Sequence, residues 1–371
     1  MQKKIEFLFL AQEDMIQAGV LDMRHCLDVM DRTFKLMAKG DYVMGGPSQN
    51  HHGIKLWFPK EPRGPGMPVA GPDRRFMSMV SYLGGEYHVC GSKWYGSNVE
   101  NPVKHGLPRS VLLLLLNDPE TGVPLAVMDG NLVSAMRTGA VIGLGARYLA
   151  RTNASVAGII ACGVISKTSL MALAAGVKHL REVKVFDIDP SKAVFFSEEM
   201  SQSLGLNIYP VGSMEEAIRG SDVVCTATSR VKRPYFEGRW FKDGVLFELS
   251  ADADLSDDLW LSSRVVADNW RMHMDWREEM DKAPQELKGR VIYSTLHDQI
   301  IAGRMKDSDI IEMGRIVSGD MLERERENQK IILVTGGLGI EDVSWGHTIY
   351  KQALEKGLGQ KLKLWEEPYW F

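Results

Sequence analysis

The stretch of this chain that most constrains its fold is Ser155–Leu173, which reads SVAGIIACGVISKTSLMAL. An apolar run enters a turn at Gly163 and leaves as an amphipathic segment, and this order predicts a strand, a tight turn and a helix. The N-terminus of such a helix presents backbone N–H groups and a positive dipole end, which bind the pyrophosphate of a dinucleotide. The G-x-G-x-x-G/A pattern is incomplete, because Ala161, Gly163 and Ser166 occupy its glycine positions.

The residues around this turn support a dinucleotide site. Asp187 lies 21 residues after Ser166, at the end of the apolar strand VKVF, where a ribose-binding carboxylate is expected. A carboxylate accepts a hydrogen bond from a ribose 2′-OH but repels a 2′-phosphate, so Asp187 predicts NAD rather than NADP. The alternative is that Asp187 is only a turn residue at the end of the strand, since Asp189 and Pro190 follow. The cofactor-binding residues predicted in the turn are Gly163, Val164, Ile165 and Ser166.

Strands and helices alternate from residue 155 to residue 227, which predicts a parallel sheet of the Rossmann type. The strand Asp222–Ala227 runs into Thr228, whose small side chain leaves room for a nicotinamide ring. Apolar runs at Gly244–Leu249 and Ile331–Thr335 predict further strands, and Asp307–Ser318 predicts a helix.

The part of the chain before this alternation has a different pattern. Apolar residues recur every three or four positions in Asp22–Lys39, which predicts an amphipathic helix. Tyr42–Gly91 is rich in Gly and Pro with short extended runs, which predicts a meandering mixed sheet. A helix is predicted over Asn131–Arg151. A second helix is predicted to start near Asp342.

Composition and charge exclude several classes of function. A chain of 371 residues with 44% hydrophobic and 25% charged residues predicts a globular protein of two domains. A net charge of -4 without a basic cluster predicts no nucleic-acid partner. The longest aliphatic run, Val111–Leu116, is too short to span a membrane, and Met1–Leu10 is too short for a signal peptide, so we expect a cytoplasmic protein.

The cysteines and histidines predict no metal site. The four cysteines contain no C-x-x-C pair, which argues against a zinc site and against a disulfide framework. The adjacent His51 and His52 would point to opposite faces of an extended segment and have no third ligand nearby in the sequence.

The block Pro124–Ala150, PLAVMDGNLVSAMRTGAVIGLGARYLA, closely resembles the ornithine cyclodeaminase and mu-crystallin family. The resemblance runs from about residue 90 to residue 360 and includes Gly91-Ser92-Lys93, Asn101–Arg109, SDVVCTATS and the C-terminal TGGLGIEDVSWGHTIYKQALEKGLG. It implies an α/β protein that forms a homodimer. A substrate-binding and dimerisation domain of the α+β class would comprise residues 1–130 with 320–371, and a Rossmann domain residues 131–319.

The same resemblance implies a chemistry. Enzymes of the family take a hydride from the α-carbon of an amino acid and form an imine. In the cyclodeaminases a side-chain amine closes onto the imine, ammonia leaves and the hydride returns, whereas relatives are amino acid dehydrogenases or reductases of cyclic imino acids. Mu-crystallin also binds a thyroid hormone. The expected ligands of this chain are therefore NAD and a small amino or imino acid.

Three side chains match the family's site residues. Lys93 and Arg137 match the lysine and arginine that bind the substrate carboxylate, and a guanidinium fork suits that role. Asp252 matches the catalytic aspartate, which moves protons. The alternatives are a surface lysine, a helix-face arginine and a solvated acidic loop. On the matching segments, Ser250 and Thr335 are assigned to the cofactor site and Gly336 to the substrate site.

Several positions depart from the family pattern. Ala161 replaces the first glycine of the turn, Ile165 replaces a frequent glutamine, and Ser256 stands where the cyclodeaminase has lysine. The early arginine is missing near Ser48 and Gln49. These changes keep a second hypothesis open, a non-catalytic nucleotide-fold binding protein or accessory subunit similar to mu-crystallin.

The chain ends in an unusually aromatic tail, Trp365–Phe371. Aromatic side chains at a terminus are expected to pack on the body of the protein or on a partner. The tail is therefore a candidate contact with a second subunit or with a partner protein.

Overall fold

The computed structural model of the protein describes residues 4–71, 73–228, 233–282 and 294–370. The strands are β1 Ile5–Leu10, β2 Tyr42–Met44, β3 Ile54–Trp57, β4 Arg75–Leu83, β5 Val89–Ser97, β6 Ser110–Asn117, β7 Pro124–Asp129, β8 Val156–Ile160, β9 Glu182–Phe186, β10 Asn207–Pro210, β11 Val223–Thr226, β12 Tyr235–Phe236, β13 Leu246–Leu249, β14 Asp254–Leu255, β15 Ser263–Ala267, β16 Ile311–Glu312, β17 Lys330–Val334 and β18 Gln360–Trp365. The helices are α1 Gln12–Ala18, α2 Met23–Ala38, α3 Asn101–Lys104, α4 Gly130–Leu149, α5 Val164–Gly176, α6 Pro190–Leu204, α7 Met214–Ile218, α8 Asp257–Ser262, α9 Trp270–Lys282, α10 Ser294–Ile301, α11 Met313–Val317 and α12 Gly339–Lys356.

The chain folds into two compact units. The first comprises Met1–Asp22, Lys39–Ser134 and Leu338–Phe371, and the second comprises Met23–Ala38 and Ala135–Gly337. The sequence division placed residues 23–38 and 320–337 in the first domain, whereas these segments belong to the second unit. Helix α2 packs there on α5 and α11, and β17 pairs with β13 and β15.

The first unit is built on a mixed sheet in the order β18-β1-β7-β6-β5-β4-β2, with β3 paired to β4. Neighbouring strands are antiparallel except β1 and β7, which run parallel. The aromatic tail enters this sheet, since Trp365 on β18 lies opposite Ile5. Beyond β18, Tyr369 and Trp370 are exposed, and Phe371 lies outside the described residues.

The two faces of this sheet differ in burial because side chains alternate along each strand. On the inner face, buried residues such as Met79 and Leu114 pack under α12. A Cβ at Gly91 would lie 2.7 Å from Val343 Cγ2, so glycine there allows α12 to approach β5 closely. The opposite face, which we call the outer face, carries exposed apolar side chains: Ile54, Leu56, Phe76, Val80, Trp94, Val111 and Leu113.

The second unit contains the predicted Rossmann sheet. Its order is β10-β9-β8-β11-β13-β17-β15-β16, and every paired strand in it is parallel. The predicted α/β fold class is therefore confirmed. The central strands β11 and β13 are buried on both faces, as is β17 after its first residue, which explains their largely apolar sequences.

Two predicted helices differ from the structure. Asp307–Ser318 was predicted as one helix, which is wrong: a 3₁₀ turn at Asp307–Asp309, strand β16 and the short α11 occupy it. Residues of β16 pair with Val266 and Ala267 of β15, so their backbone groups bond to the sheet instead of forming a helix. The C-terminal helix begins at Gly339, three residues before the predicted start near Asp342.

The described residues contain no helix that is long and apolar enough to cross a membrane. All four cysteines lie in the described part of the chain, and none of them forms a disulfide. No cluster of three His, Cys, Asp or Glu side chains suited to a metal ion occurs within the described ranges.

Candidate functional site

The glycine turn connects β8 to α5 as the sequence predicts. Ala161 has a φ of 77°, the left-handed conformation that glycine adopts easily, so the residue that replaces the first fingerprint glycine still has glycine-like geometry. Gly163 caps α5 with extended backbone (φ -86°, ψ -177°). A Cβ built at Gly163 would meet no described atom within 4 Å. Because the first N–H groups of a helix have no partner within the helix, those of α5, from Val164 onward, suit a pyrophosphate.

Asp187 contacts this turn directly. It follows β9, and its Oδ2 accepts a hydrogen bond from the Cys162 backbone N–H at 2.9 Å, while its Oδ1 accepts one from the Asp189 N–H at 2.9 Å. Burial, with a smaller contribution from Asp187, raises the pKa of the Cys162 thiol to about 12. The Asp187 carboxylate thus stabilises a turn, which was the alternative to ribose binding. It also lies beside the glycine turn, where a ribose would bind.

Helix α4 packs closely on α5 at Gly139 and Gly143. A Cβ at Gly139 would lie 2.5 Å from the Thr168 carbonyl oxygen, and one at Gly143 would lie 2.6 Å from Ala172 Cβ. Ser166, at the third position of the fingerprint, is 2% exposed and so belongs to this packed layer. Gly139 and Gly143 therefore set the position of α5, the helix that begins at the glycine turn.

The other predicted cofactor residues follow the carboxyl ends of neighbouring parallel strands. Thr228 comes after β11, Ser250 after β13 and Thr335 after β17. The hydroxyls of Thr335 and Ser250 are 3.0 Å apart and hydrogen-bonded. Thr228 is partly buried, and Ser229, the last residue of the SDVVCTATS segment, lies outside the described residues. Asp252 is partly buried in the loop between β13 and β14.

Arg137 lies on α4 and is 6% exposed. Its guanidinium packs against the backbone of Gly337, since a Cβ there would lie 2.6 Å from Nη1. Gly337 has a φ of 83°, a second reason for glycine at this position. The second unit thus brings together Arg137 and the loop that contains Thr335, Gly336 and Gly337.

Asp268, a residue with no role predicted from the sequence, holds this loop. Asp268 Oδ2 accepts hydrogen bonds from the N–H groups of Gly336 at 2.7 Å and Gly337 at 3.0 Å. The N–H of Gly336 is therefore committed to Asp268, so any substrate contact of Gly336 involves its other atoms. The sequence feature that could have identified Asp268 is its position as an acid directly after the apolar strand RVVA.

A second acid, Glu312, lies near Asp268. Its Oε1 accepts a hydrogen bond from the Trp270 backbone N–H at 3.0 Å, at the start of α9. Burial raises the pKa of Glu312 to about 7, although this backbone hydrogen bond acts in the opposite direction. The start of α9 therefore lies beside a carboxyl group that changes charge near neutral pH.

Lys93 belongs to the first unit, on the inner face of β5. Its Nζ donates hydrogen bonds to Asp342 Oδ2 at 2.7 Å and to Ser134 Oγ at 3.3 Å. Lys93 is 3% exposed and Asp342 is completely buried, so Lys93 is not a surface lysine. The role of Asp342 was not predicted, although this acid lies in the first turn of the helix that begins GIEDVSW.

The departures from the family pattern have local structural roles. Ser256 Oγ accepts a hydrogen bond from the Gly238 N–H at 2.9 Å. In the segment without the early arginine, Gln49 has a φ of 59° and Ser48 Oγ accepts a hydrogen bond from the Asn50 N–H at 3.2 Å. Ser48 therefore stabilises a turn in its own loop, whereas Ser256 connects its loop to the segment that begins at Gly238.

One cleft of about 520 Å³ lies elsewhere in the second unit. Its lining includes Ser263 and Lys330, the first residues of β15 and β17. Parallel strands place their carboxyl ends at the opposite edge, where ligands of such sheets bind. This cleft is therefore not the predicted dinucleotide site.

The chain is similar to known enzymes over nearly its whole length. A family model described as "Ornithine cyclodeaminase/mu-crystallin family" matches residues 20–357. The N-((2S)-2-amino-2-carboxyethyl)-L-glutamate dehydrogenase of Staphylococcus aureus is 29% identical over 363 residues, which cover 97% of this chain and 99% of the relative.

Solved structures show the same similarity. The Delta(1)-pyrroline-2-carboxylate reductase of Thermococcus litoralis, in complex with NADH and L-proline, matches with a TM-score of 0.80 and 29% identity over 96% of this chain and 100% of that one. An archaeal alanine dehydrogenase dimer with bound NAD matches with a TM-score of 0.78 and 29% identity over 97% of this chain and 100% of that one.

Proposed function

The chain belongs to the ornithine cyclodeaminase/mu-crystallin family, and from this premise we propose that it is an NAD-dependent oxidoreductase acting at the α-carbon of an amino acid or its imine. The observation that carries the proposal is the carboxyl edge of the parallel sheet. There the turn at Gly163, the Ser250–Asp252 loop and the Thr335–Gly337 loop follow β8, β13 and β17. The relatives described above are named as dehydrogenases and a reductase, which favours an enzyme over an accessory subunit.

The residues of the turn fit NAD. The open space at Gly163 and the N-terminus of α5 suit the pyrophosphate, and the Asp187 carboxylate suits a ribose hydroxyl and disfavours a 2′-phosphate. When bound, NAD supplies the acceptor or donor of the hydride. The small residues Thr228, Ser250 and Thr335 leave room at the ends of their strands for the nicotinamide.

The protein side chains have separate roles in this proposal. Arg137, with its guanidinium supported by Gly337, binds the substrate carboxylate, and Lys93 adds a second positive charge whose position Asp342 fixes. Asp252 accepts a proton from the substrate ammonium, which leaves the nitrogen lone pair free to form the C=N bond as the hydride departs. In the reverse direction Asp252 returns that proton.

The test is incubation of the protein with NAD and a panel of amino acids, and with NADH and cyclic imino acids. NADH formation indicates dehydrogenation, NADH consumption indicates imine reduction, and ammonia release without net NADH indicates cyclodeamination. Absence of turnover with every substrate, at saturating NAD or NADH, would contradict the proposed function.

The proposed proton transfer is tested with Asp252→Asn. A general base contributes about 10²- to 10⁴-fold to rate, so kcat should fall by at least about 100-fold while NAD affinity is kept. Asp254→Asn is the matched control, because Asp254 belongs to the same acidic stretch but pairs with Arg233 at 3.5 Å. A loss of kcat in both variants, or in neither, would rule out the assigned role of Asp252.

We also propose a homodimer in which the first unit provides both the substrate-binding Lys93 and the subunit interface. The outer face of its sheet carries seven exposed apolar side chains, among them Trp94 (49% exposed) stacked on Phe76 at 5.7 Å. Monomers rarely expose contiguous apolar patches of this kind. Tyr369 and Trp370, 88% and 87% exposed, are a further candidate contact of the tail with a partner.

A further inference from the structure

We propose that Asp268 is a positioning residue whose carboxylate fixes the Thr335–Gly337 loop in the place where that loop supports the Arg137 guanidinium. Asp268 itself touches neither the cofactor nor the substrate in this proposal. The inference rests on the proposed role of Arg137 in binding the substrate carboxylate.

Asp268 connects the end of β15 to the loop after β17. Its backbone N–H donates a hydrogen bond to the Val334 carbonyl oxygen at 3.0 Å, which continues the pairing of the two strands. Its Oδ2 then accepts from Gly336 N–H and Gly337 N–H at 2.7 and 3.0 Å. The conformation of the loop is therefore set by one carboxylate oxygen that receives two adjacent backbone donors.

The other carboxylate oxygen is held as well. Asp268 Oδ1 lies 2.8 Å from His273 Nε2 and accepts the Asn269 N–H at 2.8 Å. Asp268 is completely buried and His273 is 2% exposed, so both groups are shielded from bulk solvent. The carboxyl group thus cannot rotate without breaking hydrogen bonds on both sides.

The loop transmits this position to Arg137 because it is tightly enclosed. A Cβ at Gly336 would lie 2.6 Å from Met272 Cε and 3.1 Å from His273 Cε1. A Cβ at Gly337 would lie 2.6 Å from Arg137 Nη1. The two glycines therefore lie between α9 on one side and the guanidinium on the other. A shift of the loop would move the surface on which the guanidinium rests.

A merely structural role of Asp268 predicts a different outcome. Asn269 Oδ1 accepts the Met272 N–H at 2.9 Å and so stabilises the start of α9. If Asp268 served only to stabilise this part of the fold, Asn269→Ala would produce the same functional defect for the same loss of melting temperature. Asn269→Ala leaves the two hydrogen bonds from Gly336 and Gly337 in place, which makes it the matched control.

The experiment compares Asp268→Ala, Asp268→Asn and Asn269→Ala. Hydrogen–deuterium exchange is measured at the Gly336 and Gly337 amides, together with NAD affinity, KM and kcat. Loss of a charge-assisted hydrogen bond corresponds to about a tenfold effect. Asp268→Ala should therefore speed exchange at both amides and raise KM for the amino or imino acid by about tenfold each.

Asp268→Asn keeps one oxygen for the two glycine N–H groups. Its KM and its amide exchange should consequently lie between those of the wild type and of Asp268→Ala, and this partial rescue does not depend on whether the alanine variant folds well. Asn269→Ala should show wild-type exchange at the two amides and a wild-type KM.

Three results would overturn the inference: unchanged exchange and KM in both Asp268 variants, equal defects in Asp268→Asn and Asp268→Ala, or the same KM defect in Asn269→Ala. If the wild type turns over no amino or imino acid, the proposed function fails. The exchange measurements then still decide whether Asp268 fixes the loop.

Discussion

At the scale of single residues, Ala161 occupies a backbone conformation that glycine adopts more easily. Its φ of 77° costs a residue with a Cβ about 1–2 kcal/mol. Replacement by glycine removes this strain, but the greater freedom of glycine in the unfolded chain offsets part of the gain in stability. We expect Ala161→Gly to increase the free energy of unfolding by about 1 kcal/mol. Urea unfolding measures this change.

The control for this substitution is Ala157→Gly on β8, the strand that ends directly before Ala161. Ala157 is completely buried in ordinary strand conformation, so glycine there removes a packed methyl group and adds freedom to the unfolded chain. This control should be less stable than the wild type. Destabilisation by both substitutions would contradict the strain at Ala161.

Glu248 predicts a specific pH dependence of stability. It is completely buried on β13, with Oε2 3.9 Å from Cys225 Sγ, and burial raises the pKa of its carboxyl well above 4.5. The folded protein therefore keeps a proton that the unfolded chain releases. Stability due to this group is fully present below pH 4.5 and falls by about 1.4 kcal/mol per pH unit above it, until the folded pKa is reached.

Glu248→Gln removes this dependence because an amide stays neutral. Relative to the wild type, the variant should gain stability as the pH rises from 6 to 8, which urea unfolding at three pH values measures. Glu198→Gln, at an exposed position of α6, should leave the pH dependence unchanged. A constant difference between Glu248→Gln and the wild type across this pH range would show that Glu248 is ionised in the fold.

Residue patterns predicted only part of the candidate site. Gly163 and Asp187 could be identified because the turn, the strand and the acid follow one another along the chain. Lys93 and Asp342 are separated by 249 residues, and Asp268 and Gly336 by 68, so their contacts depend on how distant strands and helices are arranged. No local spacing encodes such pairs.

At the scale of elements, the contact between α4 and α5 sets the position of the dinucleotide turn. Gly139→Ala would place a Cβ 2.5 Å from the Thr168 carbonyl oxygen, and a backbone atom cannot move aside as a side chain does. We expect a loss of about 3 kcal/mol of unfolding free energy and weaker NAD binding, because α5 must shift. Chemical unfolding and fluorescence titration with NAD measure the two effects.

Gly212→Ala is the control for that substitution. A Cβ at Gly212 would lie 3.5 Å from Glu216 Oε2, an ordinary van der Waals contact with a side chain. This variant should stay within about 0.5 kcal/mol of the wild type and keep its NAD affinity. If Gly139→Ala behaves in the same way, the close packing of α4 on α5 is not required.

The alternation of strands and helices predicted most elements of the second unit. It did not predict which unit every segment of the chain belongs to. Apolar periodicity identified β17, yet its place between β13 and β15 depends on pairing with strands more than 60 residues earlier. The short β16 was missed because two residues carry too little periodicity. Their pairing with β15 determines their conformation.

At the scale of the whole molecule, the outer face of the first unit's sheet predicts the oligomeric state. Its apolar side chains extend across β3, β4, β5 and β6, and Trp94 and Leu113 lie directly opposite each other on β5 and β6. Burial of this face against a second copy stabilises a dimer through the hydrophobic effect. The wild type should therefore be dimeric by light scattering coupled to size-exclusion chromatography.

The double substitution Trp94→Glu and Leu113→Glu should produce a folded monomer, because an interface that buries these positions would have to desolvate two like charges in each subunit. The control is Leu354→Glu on α12, which packs on the opposite face of the sheet and exposes Leu354 to 44%. That variant should remain a dimer, since its charge stays in water. A monomeric wild type, or a double variant that still dimerises, would show that the outer face is not the interface between subunits.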